Sequence, residues 1–165
     1  LDHEILKLTQ LGQILGGSSL TDKSIILPEG HYAEDSMKST VVPNRNMILL
    51  ALAGGHALSL GFDTIAYAAH AGDHTIYPDC RPEFADAMDK VLGLADWKDL
   101  NLHRPYVEMT KCDLVSLGDQ LEAPLHLTWS CYAGGEIHCG KCGTCVERKE
   151  AFELAKIPDP TKYEE

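Results

Sequence analysis

Four of the six cysteines, Cys131, Cys139, Cys142 and Cys145, follow the pattern Cys-x7-Cys-x2-Cys-x2-Cys. Two thiolates separated by two residues can face one ion, and here two such turns overlap at Cys142. Gly140 and Gly143 stand where a tight turn needs unusual backbone angles, and Gly134 and Gly135 let the chain return from Cys131. The set is expected to hold one zinc ion in a closed tetrahedron that leaves no position for water and so plays a structural part. An iron–sulfur cluster is the rival, because Cys-x2-Cys-x2-Cys serves it too. His138 could replace one thiol, although four cysteines already complete the site. A secreted disulfide scaffold would be smaller and would spread its cysteines, so the clustering points to a metal and a reducing cytoplasm.

A second set of reactive side chains fills Asp73-His74-x2-Tyr77-Pro78-Asp79-Cys80-Arg81-Pro82-Glu83-Phe84. Guanine-like bases are read by a carboxylate that accepts from N1 and the exocyclic amine, together with an aromatic stack. Asp73, Asp79 and Tyr77 have those chemistries. Cys80 reads either as a nucleophile or as a small buried residue; only the adjacent Arg81 suggests a lowered pKa. Upstream, Val42-Pro43-Asn44-Arg45-Asn46 precedes an apolar helix. Asn44 or Asn46 can cap it, its N-terminus attracts an anion, and Arg45 either grips a carboxylate or phosphate or stands at the surface. Lys111 opens another helix after Thr110, as a phosphate contact or as a solvated side chain.

The elements that must position these groups alternate between the two periodicities. Residues 46–60, NMILLALAGGHALSL, form the strongest helix signal, apolar nearly all round. Its Gly54-Gly55 pair lowers helicity and points to close packing on a sheet. Residues 62–69 suit a buried strand, so the Asp73–Phe84 loop follows a strand, where α/β sheets place ligands. Pro82 opens a helix to about residue 94. Residues 99–104 and 126–129 are expected strands, 111–120 a helix capped by Thr110, and 144–156 a last helix that Pro158 and Pro160 stop. Residues 1–15 read as a loop and a short helix, 16–42 as a long irregular segment, and the tail from Pro158 as frayed. The alternation predicts an α/β fold with a mostly parallel sheet flanked by helices.

With 165 residues and 44% hydrophobic content, the chain suits one domain with a real core. Its 25 acidic and 14 basic residues give a formal charge of -11. Such a surface repels polyphosphate, so no direct nucleic-acid partner is expected. No membrane span and no signal peptide are visible, and a cytoplasmic location is expected.

In order, VPNRN, GDHTIYPDCRPEF, TKCDL and TWSCYAGGEIHCGKCGTCVER closely resemble the QueC family of 7-cyano-7-deazaguanine synthases, over about residues 18–152. The resemblance implies a Rossmann-like fold of the adenine nucleotide alpha hydrolase-like kind, with residues 1–125 as the C-terminal part of a PP-loop domain. Residues 126–165 would be a zinc-binding helical segment packed on it. It implies an ATP-dependent ligase, using ATP with Mg2+, that converts 7-carboxy-7-deazaguanine and ammonia to the nitrile on the path to queuosine. Zinc would sit on the four cysteines. Arg45, Asp73, Tyr77, Asp79, Cys80 and Arg81 would surround the substrate, and Lys111 with Arg45 would reach ATP and carry catalysis. Family members are commonly homodimers.

The family's SGG-x-DS phosphate loop is not in this sequence; Gly16-Gly17-Ser18-Ser19 has neither a preceding strand nor an Asp-Ser pair. The expectation is therefore that the chain beginning at Leu1 is the later part of a longer enzyme. The alternative function is a zinc-stabilised binding module, or a relative that activates a different carboxylate, such as one on a protein.

Overall fold

Two short strands carry the sheet: β1 (Thr64–Ala66) and β2 (Asn101–His103) pair in parallel, with Ile65 opposite Leu102. The computed structural model describes residues 3–31 and 35–164; Leu1 and Glu165 lie outside them. On each strand only the middle residue is buried. The ladder extends by one bond on either side, Asn101 N–H to Asp63 O at 2.9 Å and Tyr67 N–H to His103 O at 2.8 Å. Beyond Tyr67 the chain leaves the sheet, so the apolar run 62–69 makes a strand of three residues and the start of a loop.

The described residues form five α-helices: α1 (Thr9–Ile14), α2 (Arg45–Ser59), α3 (Pro82–Leu94), α4 (Lys111–Gln120) and α5 (Gly143–Ala155). α2 and α3 close one core over the sheet, built from Leu50, Ala57, Ile65, Met88, Leu92, Leu100 and Leu102. The spacing of Ala85, Met88 and Leu92 puts three buried residues on one stripe of α3. Pro82 stands at its first position, where no amide is needed.

The two helix glycines part ways. A Cβ on Gly54 would lie 2.9 Å from side-chain carbons of both Leu92 and Leu100, whereas one on Gly55 would meet nothing. Close packing thus explains Gly54 alone. α2 is also less buried than its composition suggests, with Met47, Leu49 and Leu52 exposed on its outer face.

α4 starts with a reciprocal cap: Thr110 Oγ1 accepts from Asp113 N–H at 3.2 Å, and Asp113 Oδ2 accepts from Thr110 N–H at 2.9 Å. It packs against α5 through Val115, Ala151 and Phe152. No helix among the described residues is long and apolar enough to cross a membrane.

Two expectations are corrected. Residues 126–129 are not a strand; Leu125–Leu127 form a 3-10 turn. The Leu127 and Thr128 amides turn back to Pro124 O at 2.9 Å and Leu125 O at 3.2 Å, so they are not available to a strand partner, and Arg148 Nη2 also donates to Leu125 O, at 3.2 Å. Nor is the described tail frayed. Asp159 accepts from Arg148, Thr161 and Tyr163, and Glu164 N–H reaches His138 O at 2.8 Å.

Candidate functional site

The loop leaving β1 and the segment entering α2 are clamped together at the carboxyl end of the sheet. Asn44 precedes α2 in a left-handed conformation (φ 54°) and its side chain makes no cap. The cap comes from 33 residues away: Asn46 N–H donates to Asp79 Oδ2 at 3.2 Å. A carboxylate there satisfies an orphan amide and meets the positive end of the helix. The Asn46 side chain donates to Tyr67 Oη at 3.2 Å, and to Asp79 O and Cys80 Sγ, both at 3.3 Å. Tyr67 donates its hydroxyl to the same Asp79 carbonyl. The other carboxylate oxygen of Asp79, Oδ1, is buried without a partner among the described residues.

Tyr77 is only 2% exposed, so its ring forms the wall of this site and presents no open face. Its hydroxyl lies 2.5 Å from Thr40 Oγ1 and 3.0 Å from Tyr132 Oη, and the Arg45 guanidinium sits 5.6 Å from its ring centre. Arg81 is turned outward, its Nε donating to His74 O at 2.8 Å. Burial pushes the Cys80 thiol up to about 12, and the nearby charges of Asp73 and Asp79 add to the shift despite the Tyr67 hydrogen bond and Arg45. Cys80 is a protonated, buried residue in this environment, not an activated nucleophile.

A second cluster lies beside the first, with Asp73 common to both through its charge. Lys111 Nζ meets Glu147 Oε2 at 2.5 Å, and His70 Nε2 stands 3.4 Å from Asp73 Oδ2. Ala71 N–H donates to Met109 O at 2.8 Å, which ties this loop to the start of α4. Burial raises the Glu147 carboxyl above its ordinary range, against the opposing pull of Lys111. Burial also holds His70 below its ordinary value, with Lys111 and His74 adding to the shift against Asp73.

Glu147, His70, Tyr67 and Tyr132 are participants that the sequence reading missed. The available signal for Glu147 was its helical spacing: positions 144, 147 and 151 share the face of α5 that turns inward.

The four cysteines converge. Their sulfur atoms lie within 4.8 Å of one another, and Cys139 Sγ is 4.0 Å from Cys145 Sγ. A zinc-like tetrahedron with 2.3 Å bonds has edges of about 3.8 Å, so the set fits a four-thiolate metal centre. Amides are aimed at the sulfurs: Cys139 N–H at Cys131 Sγ (3.4 Å) and Cys142 N–H at Cys139 Sγ (3.3 Å). Burial opposes the Cys142 thiolate, but hydrogen bonds from Thr144 and from the amides of Tyr132 and Cys145 bring it down to about 6.

Gly134, Gly135 and Gly140 adopt φ of 74°, 89° and 74°. Gly143 does not need such an angle, because it is the first residue of α5. His138 is engaged elsewhere, accepting from Ser130 N–H at 3.2 Å and stacking on Trp129 with ring centres 4.2 Å apart.

A family model described as queuosine biosynthesis protein QueC matches residues 1–156. The chain is 54% identical over 165 residues to 7-cyano-7-deazaguanine synthase 1 of Mesorhizobium japonicum, covering 99% of this chain and 71% of that protein. It is 53% identical over 162 residues to 7-cyano-7-deazaguanine synthase of Pseudoalteromonas translucida, covering 98% and 74%. It is likewise 53% identical over 165 residues to the synthase of Rhizobium leguminosarum bv. trifolii, covering 99% and 70%. The chain belongs to the QueC family of queuosine biosynthesis proteins.

Proposed function

We propose that this chain acts in queuosine biosynthesis as a 7-cyano-7-deazaguanine synthase, a ligase that makes the nitrile from 7-carboxy-7-deazaguanine and ammonia at the expense of ATP. The observation that carries the reading is the match to family and relatives across the whole site, from Arg45 to Cys145. In the first half-reaction a carboxylate oxygen attacks the α-phosphorus of ATP and pyrophosphate leaves. Ammonia then adds at the acyl carbon and AMP leaves, giving the amide. A second ATP activates the amide oxygen in the same way, again releasing pyrophosphate; loss of AMP and of both nitrogen-bound protons leaves the carbon–nitrogen triple bond.

Asp79 Oδ1, buried and unpartnered, suits a donor edge of the deazapurine. Asp73 lies on the same loop, with Tyr77, Cys80 and Arg81 shaping it. Arg45 and Lys111 are the cations suited to ATP phosphates, and Lys111 must then exchange Glu147 for phosphate. The cysteine set is assigned to one structural zinc ion, with Mg2+ arriving on ATP. Residues 1–125 form the catalytic part and 126–165 a zinc-held segment docked on it through α4 and α5. A cytoplasmic homodimer is the form expected of such an enzyme.

The test supplies the intact, full-length, zinc-loaded protein with ATP, ammonia and 7-carboxy-7-deazaguanine and follows products by mass. Nitrile and AMP are expected. A folded, zinc-loaded protein that yields neither amide nor nitrile overturns the proposal, and metal analysis showing iron overturns the zinc assignment.

A further inference from the structure

We propose that His70, Asp73 and Glu147 form a second metal site, separate from the cysteine centre and suited to a divalent first-row transition ion. Each residue offers one ligand atom, and these atoms lie within 4.8 Å of one another. The three come from distant parts of the chain: His70 and Asp73 from the loop after β1, Glu147 from α5. His70 and Glu147 are sequestered, at 8% and 9% exposed, and Asp73 is half-buried.

Three details point to a cation here and not to a self-satisfied polar cluster. First, His70 Nδ1 is buried with no hydrogen-bond partner among the described residues. An unpartnered imidazole nitrogen in a site of this polarity costs free energy that a metal bond recovers. Second, Glu147 divides its two oxygens. Oε2 is held by Lys111, while Oε1 faces the other way, toward Gly72.

Third, Gly72 leaves room at the meeting point. A Cβ there would lie 2.6 Å from Glu147 Oε1 and 3.1 Å from His70 Nδ1, so both atoms border the same small space above its backbone. The charge is also favourable, because the two carboxylates outnumber the Lys111 ammonium.

One nitrogen and two carboxylate oxygens select ions such as Mn2+, Fe2+, Co2+ or Zn2+ over Mg2+ or Ca2+, which favour all-oxygen shells. Three protein ligands leave coordination positions open, unlike the closed four-thiolate set.

Ion binding tests this without reference to turnover, so the outcome does not depend on the proposed reaction. The full chain, already carrying one metal on its cysteines, is titrated with Mn2+ and free ion is followed by electron paramagnetic resonance. One Mn2+ per chain is expected, with the cysteine-bound metal retained. His70→Gln and Glu147→Gln should each weaken it tenfold or more while circular dichroism stays unchanged. Co2+ added to the same protein should give weak visible bands without sulfur-to-cobalt charge transfer. No Mn2+ bound by the wild-type chain, affinity unchanged in both folded variants, or a thiolate signature for the added Co2+ each overturns the proposal. If a variant loses its fold, the wild-type stoichiometry and the Co2+ spectrum decide alone.

Discussion

Asp79 is asked to do two things with one carboxylate. Oδ2 caps α2 through Asn46 N–H, and Oδ1, buried without a partner among the described residues, is the atom proposed to meet the deazapurine. The roles separate by substitution. Asp79→Ala should lower stability by about 1 kcal/mol, the usual cost of a lost N-cap. Asp79→Asn keeps an acceptor for the cap, so its stability should stay close to wild type while deazapurine affinity falls. Urea unfolding and substrate titration read the two effects, and equal losses of affinity and stability in Asp79→Asn would refute the division. Cys80 gives a second residue-scale prediction. With its thiol pushed up to about 12, roughly one in ten thousand molecules carries the thiolate at pH 8. Iodoacetamide should leave Cys80 unmodified in native protein and label it after unfolding, and a folded Cys80→Ala should still make the nitrile, with its loss in KM and not in kcat. Rapid native labelling, or turnover abolished in a folded Cys80→Ala, would restore the nucleophile.

Between elements, Tyr132 is the join. Its amide is aimed at Cys142 Sγ, and its hydroxyl lies 3.0 Å from the Tyr77 hydroxyl, which Thr40 meets from the other side. The metal loop, the 3-10 turn Asp35–Thr40 and the pocket loop are thereby held in one hydrogen-bonded line. Tyr132→Phe removes the hydroxyl and strands part of the Tyr77 hydrogen-bonding capacity in a buried setting, so a loss of about 1–3 kcal/mol is expected. Because Arg45 rests on the Tyr77 ring, KM for ATP or substrate should rise more than kcat falls. A variant with wild-type stability and kinetics would show the line to be idle. The helices were legible because their signals are local: Pro82 at a first turn, Thr110 with Asp113, and the stripe on α3. The cysteine set was legible for the same reason, its ligands lying close in sequence. The Asp79 cap, the Glu147 partner of Lys111 and the turn at Leu125–Leu127 were not, because each depends on a group tens of residues away. A cap from position 79 and a side chain from position 148 leave no mark on residues 44–46 or 125–128.

At the scale of the molecule, beyond the packing of α5 on α4, the C-terminal segment is fastened at two points, the cysteine cluster and the tail. The second rests on Asp159. Burial alone would raise its carboxyl pKa, but hydrogen bonds from Tyr163 and Thr161 and the Arg148 guanidinium hold it below the ordinary 3.8. The pair with Arg148 is well shielded, with side-chain exposures of 9% and 14%. A carboxyl whose pKa is lower in the folded state binds a proton more readily when unfolded, so it stabilises the fold at every pH above 3.8 and loses that contribution as pH falls through its lowered folded value. Asp159→Asn should therefore be less stable than wild type by about 1–3 kcal/mol at neutral pH, where a charge-assisted acceptor is replaced by a neutral one. The gap should hold constant on acidification until pH nears 3.8 and then close, because the wild-type carboxyl becomes neutral too. Urea unfolding of both proteins at each pH, with matched metal so that any metal lost in acid is lost from both, measures the gap directly. A gap that persists unchanged well below 3.8 would mean that Asp159 acts by shape and not by charge. A gap absent at neutral pH would mean that the Asp159 charge does not fasten the segment.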